Sequence, residues 1–100
     1  MPEYVADLLK RIREQPEAYI GRKSLDRLGT FLWGYVGCMW DHSGICEQPL
    51  PGFGEYIAEQ YRVRSVHGWS DIISFYSTYE EEAFDTFYHF LDLFYVGWDG

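Results

Sequence analysis

The sequence predicts a mainly α, compact single domain built from four to five helices. Three observations carry this reading. Apolar residues recur three and four positions apart over most of the chain, the spacing of one helical face. The breaks between these runs fall at Pro, Gly and Ser. A chain of 100 residues that is 47% apolar can fill one core and does not divide into two.

Glu3 to Glu14 reads as the first helix, with Val5, Leu8, Leu9 and Ile12 on its apolar stripe and Lys10, Arg11 and Arg13 facing water. Pro16 ends it or starts a short turn. Ala18-Tyr19-Ile20-Gly21 is an apolar connector closed by glycine. Ser24 suits the N-cap of a second helix running to about His42 on the pattern Leu25, Leu28, Leu32, Tyr35, Val36, Met39. Gly29, Gly34 and Gly37 each cost that helix about 1 kcal/mol against alanine. Close packing is the expected reason. Trp33 and Trp40 lie seven residues apart on a second face of the same helix.

Ser43-Gly44 breaks the helix, and Gln48 to Gly52 is a loop. Phe53 to Tyr61 is a short helix with Phe53, Tyr56, Ile57 and Tyr61 inward. Residues 62–76 are the one region where short strands compete. Arg62 to Gly68 alternates in character, and Ile72 to Tyr76 is β-branched and aromatic. Helix is favoured for the second stretch, because Ile72, Ile73 and Tyr76 fit its spacing behind a Ser70 cap. Thr78 and Glu81 form a candidate capping box for a last helix, whose first turn is acidic. On that helix Phe84, Phe87, Tyr88, Leu91, Phe94 and Tyr95 form the apolar stripe. Glu81, Glu82, Asp85, His89 and Asp92 lie opposite.

Charge narrows the function. The net charge is -8, and it is uneven: residues 1–30 hold six Lys and Arg against five Asp and Glu, while residues 31–100 hold two against eleven. Nucleic-acid binding needs the opposite sign, since phosphate neutralisation supplies most of its affinity. An acidic surface draws in basic partners and speeds their encounter, although acidity also serves solubility alone. The twenty Phe, Trp and Tyr residues exceed what a core of this size hides. Some are therefore expected at the surface, where large flat side chains favour protein contacts.

Met1 to Asp7 carries acids where a signal peptide needs a basic and then an apolar run, and no apolar run reaches transmembrane length. The expectation is a cytoplasmic chain with Cys38 and Cys46 reduced and no membrane contact. Cys38, His42 and Cys46 are spaced four apart, a partial zinc set, but the break at Ser43-Gly44 and the lack of a fourth ligand argue against a metal. His89 between Asp85 and Asp92 has the spacing of an oriented acid–base pair. Without a nucleophile, a glycine-rich loop or an oxyanion donor, it reads as a surface histidine, and no catalytic residue or cofactor is assigned. Arg22, Lys23 and Arg27 form the one local cationic group near a helix start, expected to pair with acids elsewhere.

Tyr19-Ile20-Gly21-Arg22-Lys23-Ser24-Leu25-Asp26-Arg27-Leu28, Phe31 to Tyr35, Trp69 to Ile73 and Glu80 to Phe84 together resemble small bacterial immunity proteins of polymorphic toxin systems, including contact-dependent growth inhibition. The resemblance runs from about Tyr4 to Phe94. It implies a cytoplasmic inhibitor that binds one toxin domain, typically a nuclease with a basic cleft, and occludes its active site or substrate contacts. It names no functional residue to carry over.

Charge and exposure arguments supply the candidates instead: Glu81, Glu82, Asp85 and Asp92 with Asp71 nearby, and Trp33, Trp40 or Trp69 as a surface aromatic. The alternatives are an acidic adaptor or homo-oligomeric subunit joined through Trp33 and Trp40, and a small enzyme using His89 or His42.

Overall fold

The computed structural model describes residues 1–64 and 68–99. These hold six helices and no strand: α1 (Glu3–Glu14), α2 (Pro16–Ile20), α3 (Leu25–Ser43), α4 (Phe53–Tyr61), α5 (Trp69–Phe75) and α6 (Glu80–Phe94). The radius of gyration, 13.1 Å, is that of one close-packed domain of this length. No helix among the described residues is long and apolar enough to cross a membrane.

One helix more than expected comes from Pro16. Its fixed φ and missing N–H suit the first helical position, so it opens α2 as well as closing α1. Gly21, at φ +84°, ends α2, and the Arg27 guanidinium donates back to the Ile20 carbonyl at 3.1 Å. Ser24 caps α3 as its sequence predicts, its hydroxyl accepting the Arg27 N–H at 3.3 Å.

α3 is the central helix, packed on α5 and α6, with α2 along its start. Leu25, Leu28, Leu32 and Val36 are buried, while Tyr35, expected in the core, is half-buried in a row of aromatic rings. α1 lies against α2 and seals the core with Val5, Leu8, Leu9 and Ile12. Each of these buried side chains contributes about 1.5–3 kcal/mol.

The glycines of α3 do not share one cause. A methyl on Gly29 would lie 3.6 Å from the Ser70 hydroxyl, so α5 passes close there. Among the described residues nothing lies within 4 Å of a Cβ added at Gly34 or Gly37, and close packing does not explain them.

Two helix starts differ from the expected caps. Gly68, not Ser70, precedes α5, and the turn holds no side-chain cap. α6 follows Tyr79; the Thr78 hydroxyl does not cap it, and the Thr78 N–H donates instead to Glu82 at 3.4 Å. α5 stops at Phe75, so Tyr76 falls outside the helix and is exposed, not inward. The strand alternative for residues 62–76 is not realised among the described residues; 65–67 lie outside them.

Phe53 is the hub of the α4, α5 and α6 corner. Its ring meets Tyr56, Trp69, Phe87, Phe94 and Tyr95 at centroid distances of 5.7–6.4 Å. Phe84, Phe87 and Leu91 of α6 are buried, and Phe94 is half-buried against Tyr56.

Candidate functional site

The acidic face of α6 divides in two. Its flank toward α1 and the α2–α3 turn is neutralised within the chain. Arg22 grips Glu80 with two hydrogen bonds of 2.8 and 3.0 Å, Lys23 reaches Asp85 at 3.1 Å, and Arg13 holds Asp92 with bonds of 2.9 and 2.8 Å. Trp98 adds an indole N–H to Asp92 at 2.9 Å. These hydrogen bonds hold the Asp92 and Glu80 carboxyls below their usual range, the arginine being the largest cause in each case. Arg22 and Lys23 thus pair with acids elsewhere, as their sequence setting predicts.

Asp71, Glu81 and Glu82 have no cation within 4.0 Å among the described residues. The Tyr61 phenol is raised by burial first and by the Glu82 charge second. Of the candidate acids, these three keep uncompensated charge. Asp85 and Asp92 also serve as internal ties.

The candidate tryptophans separate as well. Trp33 is 51% exposed on the outer face of α3. Trp40 is half-buried, with its indole N–H enclosed and without a hydrogen-bond partner among the described residues. Trp69 is half-buried: its ring stacks on Phe87 at 4.9 Å and meets Phe53 edge-on at 5.7 Å.

Besides Trp33, three aromatic side chains stand in solvent together: Phe75, Tyr76 and Tyr79, at 80%, 52% and 62% exposure. They occupy the bend between α5 and α6. Tyr76 is fixed by a near-parallel stack on Tyr61, with centroids 5.0 Å apart and planes 15° apart, and Phe75 meets Tyr76 edge-on at 5.0 Å. Val63, Arg64, Asp71, Ile72, Phe75 and Tyr76 line a groove of about 390 Å³ beside them. The signal for this patch is the run Phe75-Tyr76-Ser77-Thr78-Tyr79, which puts three rings at a helix break, where an inward stripe cannot hold them all.

The other constellations come apart. Both carboxylates that would orient His89 are engaged by Lys23 and Arg13. Cys38, His42 and Cys46 are exposed, and Gly44 in the left-handed region ends α3 between the second and third. No group of three His, Cys, Asp or Glu among the described residues is placed to hold a metal ion.

Comparison of the chain with protein-family models, with curated proteins and with solved structures finds no match.

Proposed function

We propose that this chain is an immunity protein that binds a basic toxin domain, expected to be a nuclease, and neutralises it in the cytoplasm by stoichiometric occlusion without turnover. The observation that carries the reading is the uncompensated charge. Three of the six cations in residues 1–30 are spent on Glu80, Asp85 and Asp92, yet Asp71, Glu81 and Glu82 have no cation within 4.0 Å among the described residues, and Asp71 shares a groove with the exposed Phe75 and Tyr76. Such a surface is suited to side chains that would otherwise hold phosphates. The resemblance of Tyr19 to Leu28 and Trp69 to Ile73 to immunity proteins supports the same reading.

The test is genetic. The reading frame immediately upstream is induced alone and together with this chain. Killing by the neighbour alone and survival on co-expression are expected. Growth in both cases, or death in both, overturns the proposal and leaves the acidic adaptor as the reading to pursue.

A further inference from the structure

We infer that the bend between α5 and α6 is the docking surface, and that it takes an arginine-bearing edge of a basic protein partner. The inference rests on the proposed function for its biological role, but the surface is argued from geometry and charge.

Three large rings exposed at one bend carry a hydration cost that a partner would remove. Two of them are also held in place. Tyr76 stacks on Tyr61, and Phe75 abuts Tyr76, so little side-chain freedom is left to lose on binding. The groove beside them is walled by Val63, Ile72, Phe75 and Tyr76.

Charge selects the occupant. Asp71 lines the groove, and the Glu82 charge acts on Tyr61, the ring on which Tyr76 stacks. Neither has a cation within 4.0 Å among the described residues, and Arg64 is the one cation in the lining. A flat guanidinium can lie on a tyrosine face while its N–H groups reach a carboxylate. An ammonium does the second and does the first less well. A second copy of the chain is disfavoured, because it brings its own charge of -8 to the same place.

The experiment titrates the isotopically labelled protein with hexa-arginine amide and hexa-lysine amide, followed by amide resonances. Hexa-arginine should shift residues of the bend and Tyr61, and bind at least about five-fold more tightly than hexa-lysine. F75S/Y76S should weaken it about ten-fold or more, with the remaining spectrum unchanged. D71N/E82Q keeps the rings and should lose most of the binding too. Shifts centred on Asp85 and Asp92, equal binding of the two peptides, or undiminished binding by F75S/Y76S would overturn the inference. So would association of the protein with itself through Phe75 at neutral pH, read by sedimentation.

The upstream gene product separates this inference from the functional reading. Arginine-selective binding at the bend without any protection sinks the immunity reading and leaves the surface. Full protection by F75S/Y76S sinks the surface and leaves the immunity reading.

Discussion

The Arg13 guanidinium meets the Asp92 carboxylate end-on, with Nη1 to Oδ1 at 2.9 Å and Nη2 to Oδ2 at 2.8 Å, tying α1 to α6 across 79 positions of sequence. The same guanidinium lies 5.0 Å from the centre of the Tyr88 ring, and the Tyr88 hydroxyl donates to the Leu9 carbonyl at 2.6 Å. One small region therefore combines an ion pair, a cation–π contact and a buried hydrogen bond.

This tie sets a pH dependence. A carboxyl with a lower pKa folded than unfolded contributes stability above its unfolded value, about 3.9 for aspartate, and loses it as pH falls through the folded value. Asp92→Asn should cost about 1 kcal/mol at pH 7, a figure already reduced for solvent screening of a partly exposed pair. In urea unfolding the gap between variant and parent should narrow as pH falls below the unfolded value of about 3.9 and close once the folded carboxyl is protonated. A gap that persists unchanged there would assign the loss to packing of Trp98 instead.

Phe53 is the most consequential single ring. Phe53→Ala leaves a void bordered by rings from α4, α5 and α6, and should cost about 3–5 kcal/mol in denaturant unfolding. Phe53→Leu should cost clearly less. Equal losses would show that the aromatic geometry, not the filled volume, is what matters.

The glycines of α3 give an opposite prediction. Gly34→Ala and Gly37→Ala add a methyl into open space on a helix, so each should stabilise by about 0.5–1 kcal/mol. Gly29→Ala, buried against Ser70, should gain less or lose. Thermal midpoints of the three variants decide it. A loss at Gly34 or Gly37 would contradict the open space seen around them.

Both thiols are exposed, so Cys38 and Cys46 should react with an aromatic disulfide reagent without denaturant. Each single Cys→Ser variant should release half the chromophore. Reaction only after unfolding would contradict their placement.

Much of the fold was legible because local signals agreed. The α1 stripe, the Ser24 cap and the Gly44 stop each act over one or two helical turns, the range that spacing reports. The failures share a different cause. Whether Pro16 closes or opens a helix depends on the chain turning back on itself, and the inward fit of Tyr76 assumed a helix that ends one residue earlier. For the candidate site, spacing put Glu81, Glu82, Asp85 and Asp92 on one side of α6 but could not show that Lys23 and Arg13, 62 and 79 positions away, would claim the last two. The packing of Trp69 was illegible for the same reason: its partner Phe87 lies on another helix.

The bare rings of Phe75, Tyr76 and Tyr79 are tolerable only while neighbouring molecules repel one another. At neutral pH every copy carries the same surplus of negative charge, and a chance meeting of two bends is cut short. Near the isoelectric point, about 4.6, that protection fails while the rings remain. Mild acid should therefore turn clear solutions cloudy well before it unfolds the chain, and serine at position 75 should delay the cloudiness.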